Sequence, residues 1–428
     1  MILGPFAAWR PRAGGSVGSL VLAALAAAFI WQAYATRNWS DAYQALVAVL
    51  AAVAFWTSHS YLSGGIEDAW PQRLQAAYFV LLGLFTASLF ALGETWSLLA
   101  LWVAVEATTL SSVALVGLKP GARPFEAAWK YLMLAGMGGL IALAGVILVD
   151  GGSPATVAAG AILLLVGFGA KAGLVPLHAW LPDAHAQAPA PVSALLSGAE
   201  LAGILWVLQD GLHKARLLLQ GATWPTDLLI GLGILSLVVG VGAMAGQRNL
   251  KRLLAYSSVE HMGVIALGMG FGGVGLLGAL LHVITHGLAK SQCFFVSGAI
   301  QTRYGTVDGE KIGRLHQGMP WGSGGLLLGL AALAGVPPLG PFFSEWLVAT
   351  AGLANPATIA PAILMLVLLA FGFIAIAYRT PRLWYQPMPG ARLSPEGAPE
   401  AAPTVLLSVL LLVSGFAVPW ILHWQLPH

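Results

Sequence analysis

The sequence is a succession of long apolar runs joined by short polar connections, and this arrangement constrains the chain more than any single motif. A bilayer hydrocarbon core about 30 Å thick is crossed by about 20 apolar helical residues. Thirteen such runs can be read, at 17–35, 43–61, 75–93, 95–118, 127–149, 157–178, 190–209, 226–246, 252–271, 274–300, 321–349, 357–378 and 404–426. The connections leave no room for a water-soluble domain. Composition agrees: 58% of residues are hydrophobic and 9% charged, against about 25% charged in soluble domains. The 53 glycines and 25 prolines suit membrane helices, which tolerate both better than soluble helices do. The single cysteine, Cys293, lies inside an apolar run. That excludes an intramolecular disulfide, a four-thiolate zinc site and an iron–sulfur cluster. No cofactor or metal is expected, and any coupled redox chemistry runs elsewhere. Met1–Val17 has arginines but no compact apolar core before a small-residue cleavage site, so the first span is expected to be retained.

Lys and Arg placement orients the spans, because cytoplasmic loops are enriched in them. Fifteen fall on the side of the N-terminus, from Arg10 and Arg12 through Lys251 and Arg252 to Arg392. Only Arg37, Lys214 and Arg216 fall on the other side, and Lys171 and Lys290 lie inside spans. The expectation is a multi-pass inner-membrane protein with a cytoplasmic N-terminus and, after an odd number of spans, an external C-terminus.

A charge at mid-membrane costs at least about 2.5–3.5 kcal/mol on insertion scales, so each one is a functional hypothesis by default. Glu106, Lys171, Glu200 and Glu345 all sit within apolar runs. His282, His286 and Lys290 follow at i, i+4 and i+8, one helical stripe that must face protein or water rather than lipid. Structural ion pairs and core histidines are the bland reading of any one of these groups. So many in separate spans favour a proton or ion path. A carboxylate–lysine pair suits such a path, because each partner stabilises the other's charged form and a change in one shifts the other. Histidine, with an unperturbed pKa of about 6.5, loads and unloads protons near neutral pH.

Two of the charged runs carry helix breakers: Pro176 after Lys171, and Pro337, Pro338, Gly340 and Pro341 before Glu345. The segments echo each other, AGLVPLHAWL at 172–181 and AGVPPLGPFFSEWL at 334–347. Broken helices in corresponding halves mark inverted-repeat transporters, although short Ala/Gly/Leu matches arise cheaply in apolar sequence. HxxxxDxH at His178, Asp183 and His185 has metal-like spacing, but a zinc site needs three or four fixed ligands and capping and packing explain this loop. Glu260 and His261 are open between a proton entry and a helix-start pair.

Four stretches resemble the antiporter-like subunits of respiratory complex I, membrane-bound hydrogenases and multi-subunit sodium/proton antiporters. They are VEATTLSSVALVG around Glu106, KAGLVPLHAWLPDAHAQAPAPVSALLSG from Lys171, NLKRLLAYSSVEHMG from Asn249 and HVITHGLAKSQCFFVSG from His282. The similarity spans about residues 75–380, and the SSVEHMG wording looks most like hydrogenase-4 component F. The resemblance implies an all-α polytopic fold of about 13 transmembrane helices with two inverted five-helix repeats, each with a broken helix. The repeats would occupy 75–209 and 226–349, flanked by 1–74 and 350–428. It also implies a proton relay through Glu106, Lys171, His282, His286, Lys290 and Glu345, coupled to membrane and peripheral partner subunits, with sodium as the alternative ion.

Two departures follow from the comparison. The N-terminal region is about one span shorter than the family's usual fourteen. The helix after the first break, near Ser197–Ala202, carries Glu200 where the family usually has a basic residue, so water, His178 or Glu200 must bridge that gap. Two other functions share the same sequence features: the membrane subunit of a proton-coupled inorganic carbon pump, and a silent membrane scaffold.

Overall fold

The computed structural model describes residues 11–36, 38–63, 70–94, 96–385 and 396–425. Arg10, Arg37 and Arg392, three of the charges used for orientation, lie outside the described residues, as does most of the Met1–Val17 segment. The helices are α1 (Pro11–Thr36), α2 (Trp39–Leu62), α3 (Gln72–Leu92), α4 (Leu98–Gly117), α5 (Ala122–Gly151) and α6 (Pro154–Lys171). Next come α7 (Trp180–Gln187), α8 (Ala190–Leu195), a π-helical turn (Leu196–Glu200), α9 (Leu201–Leu218), α10 (Trp224–Ala245) and α11 (Leu250–Phe271). The rest are α12 (Val274–Tyr304), α13 (Leu315–Gly318), α14 (Pro320–Leu333), α15 (Gly340–Ala354), α16 (Ile359–Tyr385) and α17 (Ala398–Gln425). No β-strand occurs among the described residues.

Each apolar run of the sequence falls largely on helix, and among the described residues ten helical stretches are long and apolar enough to cross a membrane by length and composition. The remaining runs fall short for visible reasons. The hydropathy of α11 is diluted by Ser257, Ser258, Glu260 and His261. The run 17–35 contributes an apolar stretch of only Ser19–Ala33, and 321–349 is not continuous, dividing into α14 and α15.

The two breaks are built alike. After α6, Ala172 N donates to Phe168 O, Gly173 N to Ala170 O, Leu174 N to Gly169 O, and Leu177 N to Leu174 O. After α14 the same four bonds recur at the same spacing: Ala334 to Leu330, Gly335 to Ala332, Val336 to Ala331, and Leu339 to Val336. Gly173 at φ 76° and Gly335 at φ 65° supply the left-handed residue that closes a helix end in this way. The sequence echo is therefore a shared backbone structure. Proline continues each break by removing a donor that further helix would need.

Burial ranks the helices. The stretch Ala190–Leu218 is 94% buried over its most apolar window, whereas α16 is only 22% buried, so the first lies at the centre and the second at the lipid-facing rim. Close approach at the centre depends on glycine: a Cβ on Gly287 of α12 would lie 2.5 Å from the Gly198 carbonyl of the π turn. Small residues at such contacts let membrane helices pack backbone to backbone.

Candidate functional site

The first group of buried charges assembles around the break after α6. Lys171, the last residue of α6 and 1% exposed, places Nζ 3.1 Å from Glu106 Oε1 of α4 and donates to Thr109 Oγ1 at 2.6 Å. The carboxylate is 22% exposed, so the pair joins a dry amine to a partly open acid. Gly139 of α5 makes the room, because a Cβ there would fall onto the Glu106 carboxylate. Its carbonyl is held by Trp102 Nε1 at 2.8 Å.

Glu200 ends the π turn, 1% exposed and within electrostatic reach of Lys171. Tyr131 of α5 donates to Glu200 Oε1 at 3.2 Å and meets Ser112 Oγ at 2.9 Å. The Tyr131 ring stacks on Trp180 with centroids 4.1 Å apart, and Trp180 Nε1 donates to Ala170 O beside Lys171. The break and α5 thus hold Glu200 in place together. His178, offered by the sequence as a bridge, lies half-buried on the break itself.

The second group lines α12 and its neighbours. His282, His286 and Lys290 are wholly buried, as the stripe required. Lys290 Nζ donates to Ser257 Oγ at 2.8 Å and Leu254 O at 3.1 Å, both on α11. His282 Nε2 lies 3.0 Å from His261 Nδ1, and its Nδ1 lies 2.8 Å from Ser344 Oγ of α15. Ser344 donates its one hydrogen to Pro341 O at 2.8 Å. It therefore accepts from His282 Nδ1–H, and His282 Nε2 accepts from His261; this tautomer is assigned from the network. Glu345, 7% exposed, lies beside Gly335 in the second break.

Several groups come into view only with the fold. Glu260 and His261 lie in the middle of α11 and are buried, which removes the helix-start reading. Glu260 is within electrostatic reach of both Lys290 and Glu345. The serines of SSVEHMG carry contacts: Ser258 Oγ meets Ser197 Oγ of the π turn at 2.7 Å, next to the Ser257–Lys290 bond. His185, wholly buried, stacks on Phe294 at 5.0 Å within electrostatic reach of Lys290 and Lys251. Lys251, counted from sequence as a loop charge, is 1% exposed inside α11 and donates to Ala188 O. Asp183 is bound by Lys130 at 3.2 Å and Arg252 at 2.9 Å. It does not join His178 and His185 around a common point.

Residues 95–372 match the family described as NADH:quinone oxidoreductase/Mrp antiporter, transmembrane. The chain belongs to this family. Among its relatives are a hydrogenase-4 component F homolog of Methylacidiphilum infernorum, 34% identical over 304 residues (64% of this chain and 63% of the relative). Hydrogenase-4 component B of Escherichia coli is 36% identical over 301 residues (63% and 44%). NADH-quinone oxidoreductase subunit N of Desulforudis audaxviator is 31% identical over 415 residues (89% and 80%). The chain thus spans less than two thirds of the first two relatives. A chain of an archaeal membrane-bound sulfane sulfur reductase superposes with a TM-score of 0.81 at 25% identity, over 90% of this chain and 80% of that one. A chain of the Mrp complex of Dietzia superposes with a TM-score of 0.84 at 20% identity, over 98% and 92%, a likeness of fold alone. The sequence resemblance thus holds at family level, and the all-helical, multi-pass architecture it implied is that of the family.

Proposed function

We propose that this chain is a proton-translocating membrane subunit of a hydrogenase-4-like or complex I-like assembly, without a redox centre of its own. The observation that carries the reading is the succession of buried and partly buried polar groups through the molecule, several of them in direct contact. It runs from Glu106 to Lys171 and Glu200, across the Ser197–Ser258 contact to Ser257 and Lys290, and on to Glu260, His261, His282 and Glu345. Each residue of the line costs free energy in an apolar interior unless hydrogen-bonded or paired. A silent scaffold gains nothing from so many.

In the proposed relay, protonation of Glu106 removes the negative partner of Lys171 and favours release of the lysine proton toward Glu200. The seryl hydroxyls carry the step between the two halves, next to Glu200, which takes the place of the family's usual basic residue. His282 and His261 accept and donate along their shared hydrogen bond, and His185 with Lys251 offers the branch to the side of the molecule that carries most of the Lys and Arg. That side is proposed to be cytoplasmic, in an inner membrane. Contacts agree with the partition: Lys130–Asp183–Arg252 and Arg248–Glu310 link charges of one set, and Lys214–Asp150 pairs within the other.

Affinity purification of the intact complex, mass spectrometry of its subunits and proton pumping in proteoliposomes test the reading. Oxidoreductase subunits and pumping abolished by Lys171→Met in a fully assembled complex are expected. Co-purification with a zinc-containing cytoplasmic carbon hydratase would replace it with the carbon-pump reading, and undiminished pumping by Lys171→Met would leave a scaffold.

A further inference from the structure

His261, His282 and Glu345 each bring one ligand-type atom into a cluster whose atoms all lie within 4.8 Å of one another, and all three residues are buried. No other His/Cys/Asp/Glu triplet among the described residues does so. The donor set is two imidazoles and one carboxylate, drawn from α11, α12 and α15. Three protein ligands of this kind suit a borderline divalent transition metal such as zinc, whereas sodium, magnesium and calcium prefer all-oxygen sites.

Geometry fits that class. With zinc–nitrogen bonds of about 2.0–2.1 Å, two ligands of a tetrahedral site stand about 3.4 Å apart. The His261 Nδ1 and His282 Nε2 atoms are 3.0 Å apart, so a small opening of the pair admits the ion. His282 Nε2 already carries a free lone pair toward His261, because its Nδ1–H is committed to Ser344. Ligating histidines are held in just this way, by a hydrogen bond from the other ring nitrogen. His261 needs the opposite tautomer to ligate through Nδ1.

Unused coordinating capacity surrounds the cluster. Glu345 Oε1 and both ring nitrogens of His286 are buried without a hydrogen-bond partner. The His286 ring centroid is 4.9 Å from that of His261, but His286 is not a member of the cluster itself. Glu345 also borders a cavity of about 400 Å³ between the second break and α16, lined otherwise by apolar residues such as Ala334, Phe342 and Phe373.

We infer that His261, His282 and Glu345 form a three-ligand, zinc-class metal-binding site. Binding itself does not depend on the proton-relay reading. Its consequence does, because an ion held by both imidazoles would stop them exchanging a proton.

The test is zinc binding by the purified, intact complex, with the free ion set by a competing chelator, together with X-ray absorption of the zinc-loaded sample. Wild type is expected to take up one zinc per copy of this chain, in a first shell of nitrogen and oxygen that includes at least two imidazoles. Glu345→Gln and His282→Ala should each weaken binding at least tenfold. His213→Ala and His316→Ala, at exposed positions, should leave it unchanged. Absence of stoichiometric uptake by wild type, a first shell without imidazole, or loss of binding in the His213 or His316 variants would each overturn the site. So would Glu345→Gln binding as tightly as wild type, a decisive outcome because the amide preserves shape and folding. Proton pumping is read separately, so a failure of the relay reading leaves the binding result intact.

Discussion

Ser197 and Ser258 meet hydroxyl to hydroxyl at 2.7 Å, joining the π turn that carries Glu200 to the helix whose Ser257 receives Lys290. A hydroxyl donates and accepts at once, so two in contact can pass a proton between the two halves. Gly198 and Gly287 bring the same π turn against α12, where a Cβ at either position would crowd the other's carbonyl.

Replacing Ser197 and Ser258 together by alanine is therefore expected to lower proton transport at least tenfold, with either single change costing less. Stability should fall by only about 0.5–2 kcal/mol, since hydrogen bonds between membrane helices are individually weak. Pumping assays on assembled complexes read the first quantity and thermal melts the second. Undiminished transport in the double variant would move the crossing point elsewhere.

Glu106→Gln removes the exchangeable proton while keeping the shape. Its expected outcome is near-normal assembly, because the carboxylate is partly exposed, with proton pumping lost by an order of magnitude or more. Gly139→Ala should reproduce part of this loss without touching a titratable group. It forces the carboxylate away from Lys171 and, as overpacking, costs about 1–3 kcal/mol. If Gly139→Ala transports normally, the 3.1 Å pair is not needed for coupling.

Glu200 is expected to take part in the relay. Glu200→Gln should transport poorly, and Glu200→Lys should recover part of the rate by restoring a basic group. Tyr131→Phe, which deletes the donor to Glu200 Oε1, should give an intermediate loss. Equal, near-normal rates in the glutamine and lysine variants would make Glu200 a bystander paired with Lys171.

The Lys and Arg asymmetry predicts that a reporter fused after His428 reads external. An alkaline phosphatase and a fluorescent protein fusion, compared in parallel, check this. Cytoplasmic fluorescence with silent phosphatase would mean that one span is missing or surplus.

The sequence by itself determined the class of molecule, because a bilayer core imposes one length and one polarity on every crossing. It also determined which groups are exceptional, since Glu106, Lys171, Glu200, His282, His286, Lys290 and Glu345 each interrupt an apolar run. Helical periodicity placed the α12 stripe correctly. Tertiary structure alone decided who meets whom. Glu106 and Lys171 lie on separate helices, and no local pattern records their distance; nor does any record that His261 of α11 faces His282 of α12. The breaks were legible as prolines, but their equivalence rests on backbone hydrogen bonds that side-chain letters do not encode. Ser197, Ser257 and Ser258 escaped notice for a physical reason: serine is cheap enough inside a protein to carry no signal until a partner is seen beside it, and His185 was legible only as part of a capping and packing loop.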